Sequence, residues 1–450
     1  MGQTENKKIG TTALIEVMKG RDRSFEVLDE WIEIKGYDIT ESFFFYDNIL
    51  FTERIRFEDC TFHEHFSLEK SIFENYVEFK NCKVLQSLFI LAGTFHKTLR
   101  ITQLDCKYFH LDSGNFQAID FSSGNKEMSI WIRDAEFSEF NMGTYLGVDE
   151  TKELIIYNQG KTKGKINIKG QTIAKLYMHG PNKDCQYLFE DVKTDYFHLS
   201  SFVNDGNLNI FGLSPATTGN SYFEISKSNL GKAQFHRVAF DEFTEVIIID
   251  SYLSETNLIN CHWKRDNIKP MVGPTYGNHD KNRKVRTKVH FNQLKEVFRQ
   301  LKYVYEKQGD RIQEQFFYGL EMKVYNKKLN WTWPVFETFW EKLILYLSEH
   351  LTSFGSSFLR PLTGLILTNI LILSVMINYY QYGGLSIVPY SLSDKAVVEQ
   401  AFGLFFILLN PLHKVNDALR GWEIMWDLIS RVMSSYFIYA LIKSSRRFLR

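Results

Sequence analysis

The sequence predicts a β-solenoid followed by an α-helical hairpin and a two-span transmembrane α-helical domain. Three observations carry that fold class. An eleven-residue ladder of apolar positions runs through residues 40 to about 265. The apolar spacing changes to three and four after residue 289, which is a helical period. Nineteen residues near the C-terminus, 362–380, then pass without a charge, enough to cross a hydrocarbon core. The expected segments are 1–39, a lead or cap; 40–265, the solenoid; 266–288, a basic linker; 289–330, a helical hairpin; 331–357, an interfacial amphipathic helix; and 358–450, a transmembrane hairpin with a short re-entrant segment.

The totals set the frame. A chain of 450 residues allows about two to four domains. Its formal net charge of zero gives no global field for a nucleic-acid partner, and none is expected. The 38 phenylalanines against 8 prolines suit short strands and membrane-facing segments. The 5 cysteines are scattered and lack a CxxC pair, which argues against a disulfide framework or a zinc site and for a reducing setting. MGQTENKKIG has no apolar stretch, so no secretory signal is expected. Asn6 stands where a myristoylation motif carries Ser or Thr.

The ladder is regular. Ile55, Phe57, Cys60 and Phe62 form one rung; Phe66, Leu68, Ser71 and Phe73 form the next; Val77, Phe79, Cys82 and Val84 follow. Leu88, Ile90, Gly93 and Phe95 continue, then Leu99, Ile101, Leu104 and Cys106, and Phe109, Leu111, Gly114 and Phe116 after a step of ten. Positions two apart share one face of a strand, and the step of three marks a corner. Each rung thus reads as two short sides with inward side chains, and two rungs make one four-sided turn. Weaker matches recur at Ile130, Ile166, Phe223 and Val246. A fixed internal period is the mark of a solenoid.

On these residues the region resembles pentapeptide-repeat proteins, whose unit centres a large apolar residue with a small or apolar one two positions earlier. Ile55–Phe57, Cys60–Phe62, Phe66–Leu68 and Ser71–Phe73 match, although the unit here alternates five and six. The resemblance implies a right-handed β-helix that serves as a binding or scaffold element. His63 and His65 alternate with Glu64 and are read as a solvated corner rather than as metal ligands. No catalytic or nucleotide-binding motif stands out, and neither a metal nor a cofactor is expected.

Downstream, Lys281, Arg283, Lys284, Arg286 and Lys288 cluster in the linker, where anionic headgroups are the expected counterpart. Leu294, Val297, Leu301 and Val304, then Ile312, Phe316, Leu320 and Val324, form the apolar faces of a hairpin broken at Gly309–Asp310. Trp331, Trp333 and Trp340 mark an amphipathic helix in the headgroup layer, and Trp422 and Trp426 mark the start of the second span. Between the spans, 401–412 is apolar but too short to cross, and it stops at Asn410 and Pro411 before His413, as a re-entrant segment would. Asp427 and Arg431 lie four apart inside the second span and can pair on one helix face.

The order of span, short apolar segment and span ending in RRFLR resembles the two-helix pore module of ion channels, and SEHLTSFGSSFLRPL (348–362) resembles the approach to the first span in bacterial pentapeptide-repeat membrane proteins. LLNPLHKVND stands where a potassium filter would be, so potassium selectivity is not expected. Three readings follow. In the first, the chain is a homo-oligomeric membrane effector with a channel-like pore and a β-helix sensor. In the second, the spans anchor a β-helix scaffold that binds another protein. In the third, which is not expected, an enzyme sits in the solenoid groove; an exposed cluster of Asp, His or Ser along one solenoid face would be needed to support it. Basic residues flanking the spans place both termini in the cytoplasm of a bacterial inner membrane.

Overall fold

The computed structural model describes residues 7–20, 27–28, 31–44, 48–122, 127–143, 150–217, 219–264, 268–269, 287–329, 336–355, 357–380, 395–414 and 421–446. They fall into two compact units, Met1–Gln300 and Leu301–Arg450. The helices are α1 (Thr11–Met18), α2 (Thr287–Gln308), α3 (Arg311–Lys328), α4 (Phe336–Thr352), α5 (Leu359–Tyr380), α6 (Lys395–Leu409) and α7 (Trp422–Arg446).

In the first unit the described residues wind two sheets of fourteen strands each, in about ten turns, parallel throughout except where Val27–Leu28 pairs antiparallel with Trp31–Lys35. Ile55 pairs with Val77 and Val77 with Leu99; Phe57 pairs with Phe79 and Phe79 with Ile101. The step is twenty-two residues, two rungs of the ladder. The corners explain the rung spacing. Asp59, Lys70, Asn81, Ala92, Gln103 and Ser113 all take φ between 51° and 55°, each just before the third residue of its rung, which is small in every rung but that of Leu104. The left-handed region costs a non-glycine residue roughly 1–2 kcal/mol, so the ladders on both sides must hold it. Four short sides, such as Arg54–Glu58, Thr61–Phe62, Phe66–Glu69 and Ile72–Phe73, merge after residue 83 into longer strands. Lys83–Leu91 and Thr94–Thr102 each bend where the register shifts, at Val84/Ser87 and Phe95/Thr98.

The winding starts earlier than residue 40. Trp31–Lys35 already pairs with Arg54–Glu58, and Tyr37–Ile39 pairs with both Lys7–Ile9 and Thr61–Phe62. Ile32 and Ile34 precede Ile55 and Phe57 by twenty-three residues rather than twenty-two, and Gly36 takes the corner conformation at φ 68°. The lead segment therefore supplies the first turn, and α1 buries Leu14, Val17 and Met18.

The interior is a set of side-chain columns. Phe51, Phe73, Phe95, Phe116 and Phe137 stack ring on ring at 4.8, 4.6, 5.2 and 5.4 Å. Gly114 must be small, because a Cβ there would lie 2.6 Å from the Phe116 ring and 2.8 Å from the Gly93 carbonyl. At the C-terminal end of this unit, Gln300 of α2 accepts from the Leu253 backbone at 2.8 Å and Gln293 donates to Asp250 at 3.2 Å.

All five cysteines are free and buried. Burial pushes the thiols of Cys106 and Cys185 up to about 12 and that of Cys261 up to about 11. The thiolate is the nucleophile, so at pH 8 these groups are protonated as well as hidden. Alkylation of the native protein followed by mass spectrometry is expected to leave all three unmodified until denaturant unwinds the coil; rapid native labelling would contradict the packing.

In the second unit the part of α2 from Leu301 onward forms the hairpin with α3. Asp310 caps α3 by accepting from the backbones of Ile312 and Gln313, each at 3.1 Å. Tyr305 stacks on Phe317 at 5.6 Å, and Lys302 pairs with Glu321 at 2.8 Å. α4 lies on α3 through Tyr325–Glu341 at 2.6 Å, Asn326–Glu349 at 2.7 Å and Lys342 to the Asn326 carbonyl. Its polar groups face α3, whereas Trp340, Ile344 and Leu347 are exposed. Trp331 and Trp333 lie outside the described residues.

Candidate functional site

The site lies where α5, α6 and α7 meet. α5 and α7 run antiparallel. Gly355, ahead of α5, lies beside Lys443; Gly364 faces Phe437; and Asn369 faces Ser430 and Ser434. A Cβ on Gly364 would fall 2.5 Å from the Phe437 ring, so this close approach needs a small residue.

α6 has 15 residues and ends half-way along this pair. The Leu408 carbonyl near its end accepts from Ser434 at 3.3 Å and Ser430 at 3.5 Å. Asn369 Oδ1, on the eleventh of the 22 residues of α5, lies 3.0 Å from the Ser430 hydroxyl and 3.3 Å from that of Ser434, so each hydroxyl has two acceptors in reach for its one proton. Asn369 in turn donates to Ser434 at 3.0 Å and to the Leu365 carbonyl at 2.8 Å. This polar network is fully buried. Beside it Leu408 packs on Ile372, Leu373, Met376 and Ile377, with Trp426 partly buried against them.

The chain then reverses. Asn410 accepts from the Leu412 backbone at 3.0 Å through its side chain and from the His413 backbone at 3.1 Å through its carbonyl. Pro411, without an N–H, stands between them at a position where no donor is needed. His413 Nδ1 meets the Asn410 carbonyl at 2.6 Å, and Nε2 meets Asp427 Oδ1 at 2.7 Å. Arg431 Nε donates to Asp427 Oδ2 at 2.8 Å. Asp427 is thus held by two side chains and is 2% exposed. Arg431 Nη2 is buried without an acceptor among the described residues.

The predicted Asp427–Arg431 contact is present, and Asn410, Pro411 and His413 form the turn. Trp422 is exposed at the start of α7. The link from His413 to Asp427, and the Asn369–Ser430–Ser434 network, were not read from the sequence. Their signal was the polar series Asp427, Ser430, Arg431 and Ser434 at helical spacing, with one amide at the middle of α5. Among the described helices, one stretch, Leu359–Ile377, is long and apolar enough to cross a membrane, with mean hydropathy 1.7. α7 has the length, but its polar series lowers its hydropathy out of that class.

On the solenoid's outer surface, His198 Nε2 lies 3.0 Å from Ser226 Oγ and 3.4 Å from Glu224 Oε1, and Tyr196 donates to Glu224 at 2.8 Å. Both contacts use the same ring nitrogen. A serine relay needs the carboxylate on the other one, so this cluster lacks that geometry. Burial also holds the His198 ring below the usual imidazole range. His63 lies 3.9 Å from Asp38, whereas the His65 ring lies against Phe89 at 5.8 Å, so the two histidines have separate partners.

Compared with family models, with curated proteins and with solved structures, the chain matches none.

Proposed function

We propose that the chain is a membrane-anchored β-solenoid, in which α5 and α7 span the bilayer, α6 enters it half-way, and the right-handed pentapeptide-type coil binds a protein partner at the cytoplasmic surface. The observation that carries this reading is an inverted distribution of polarity in the helical unit. Asn369, Asp427, Ser430 and Ser434 are buried, whereas Leu367, Leu371, Phe402 and Val432 are 60–66% exposed. Water would select the opposite arrangement, and lipid favours this one, because only lipid leaves large apolar side chains at no cost on the outside. The exposed Trp340, Ile344 and Leu347 of α4 suit the headgroup layer. The nearness of Gly355 to Lys443 brings the start of α5 and the end of α7 to one side, as two spans with cytoplasmic termini in a bacterial inner membrane require.

A second reading, conduction by a homo-oligomer, draws on the half-length α6 and on Nη2 of Arg431, which has no acceptor among the described residues. Against it, the exposed side of α7 carries Leu428 and Val432 with only the hydroxyls of Ser435 and Tyr439 at the positions that continue this face, which gives a lumen a mostly apolar lining there. Reconstitution tests both readings. The anchor reading expects the protein to resist alkaline carbonate extraction, to show no ion flux in liposomes, and to capture a partner through the solenoid. Release by carbonate would overturn membrane insertion, and flux lost on Arg431→Leu would replace the anchor with the pore.

A further inference from the structure

On the outer face of the coil a carboxylate is buried with no cation paired to it. Glu224 is 4% exposed, accepts from the Tyr196 hydroxyl at 2.8 Å and lies 3.4 Å from the His198 ring. No lysine or arginine pairs with it among the described residues. Burial holds His198 below the usual imidazole range, so at neutral pH the ring brings no positive charge. A buried carboxylate ordinarily has a cationic partner. Its neighbours on the sheet are aromatic. Tyr177, His198 and Glu224 follow one another in register across three turns, and Tyr196 and Tyr222 stand in the next column. Elsewhere on this face rings lie nearly flat on one another, as Tyr157 does on His179 at 7° and Phe89 on His110 at 27°. Here they stand across one another: Tyr177 at 60° to Tyr196 and 70° to His198, and Tyr222 at 67° to Tyr196. A crossed pair leaves ring face uncovered that a flat stack would close. All four rings are half-buried, so part of each meets solvent. We propose that Tyr177, Tyr196, Tyr222 and His198 form an aromatic seat over the Glu224 carboxylate that receives an arginine side chain of a protein partner.

Two attractions act at the same place. The negative faces of the tyrosine rings draw a cation. The carboxylate beneath them is surrounded by protein rather than by water, so its field is weakly screened. The cation does not have to touch Glu224; a position on the rings is close enough. The surrounding charge has the same sign. In register beside the cluster stand Glu153 and Glu245, against one cation, Lys175. Among organic cations a guanidinium fits best, because it is planar, weakly hydrated and donates from a rigid fork. The hydroxyls of Ser200 and Ser226, two residues on from His198 and Glu224, are acceptors for that fork. The inference deepens the reading of the coil as a partner-binding element and rests on it for the partner alone. The seat itself lies within the first unit and does not depend on the bilayer.

The test uses the full chain in detergent and two peptides: acetyl-Gly-Arg-Gly-amide, and the same peptide with citrulline, which keeps the shape and drops the charge. Saturation-transfer NMR is expected to place the arginine side-chain protons against the protein. Titration is expected to give the arginine peptide an affinity about fivefold above that of the citrulline peptide, in keeping with an exposed cation–π contact. Glu224→Gln keeps an acceptor for Tyr196 and removes the charge; it should lower the affinity about tenfold while circular dichroism stays native. Tyr222→Leu, at a half-exposed ring, should lower it about threefold. Equal binding of the two peptides, binding untouched by both substitutions, or tighter binding of tetramethylammonium than of the arginine peptide would overturn a seat for arginine. Failure of the anchor reading shows separately, as release by carbonate, and leaves the peptide result standing.

Discussion

Asp427→Ala is expected to destabilise the helical unit by about 3–5 kcal/mol, the usual cost of leaving buried charge without its partner. Asp427 is where two cationic or donor side chains converge, at 2.7 Å from His413 and 2.8 Å from Arg431. Its removal leaves both facing a carbon. Arg431→Met should cost less, about 1–2 kcal/mol, because His413 still satisfies one carboxylate oxygen. Replacing all three by leucine should recover most of the loss, since apolar substitutes for a buried ionic group are often neutral or better. Thermal unfolding in detergent, read from the fluorescence of the adjacent Trp426, ranks the variants. Equal losses for Asp427→Ala and Arg431→Met would show that the carboxylate is not the shared anchor.

Phe95→Ala should be the most damaging single change in the coil. The ring sits between Phe73 at 4.6 Å and Phe116 at 5.2 Å, in a column that is sealed from water. Removing it costs roughly 3–5 kcal/mol for transfer and cavity together, with about 0.5–1.5 kcal/mol more for each lost ring pair. Each turn contacts only its neighbours, so the loss should appear as local unwinding around residues 72–121 before global unfolding. Hydrogen exchange would show that as faster protons in the strands from Ile72–Phe73 to Asn115–Phe121. Uniform acceleration along the whole coil would argue for a single cooperative unit instead.

The solenoid was legible because its code is local. An inward residue at every second position and a corner every eleven are set by strand alternation and by the left-handed residues from Asp59 to Ser113, and both repeat without long-range information. The first turn escaped because its step is twenty-three and Gly36 takes the corner, which removes the side-chain clue at that position. The end of α6 at Asn410 and Pro411 was legible for the same local reason: one caps and the other cannot donate. The His413–Asp427 contact was not, since thirteen intervening residues and a change of element separate the two. Asn369 was hidden by its setting. An amide in an apolar span carries no partner in its own sequence, and Ser430 and Ser434 lie more than sixty residues away.

The twenty-two-residue step has a consequence for how this coil can change in length. Ile72 pairs with Thr94, so deletion of residues 72–93 would join Ser71 to Thr94 at an equivalent point of the next turn. Every column would close over the gap, and the coil would shorten by one inter-strand spacing, about 4.8 Å. A duplication of the same block would lengthen it by as much. The first unit is thus a ruler graduated in whole turns, whose reach can drift by duplication and loss while the helices of the second unit keep their own packing.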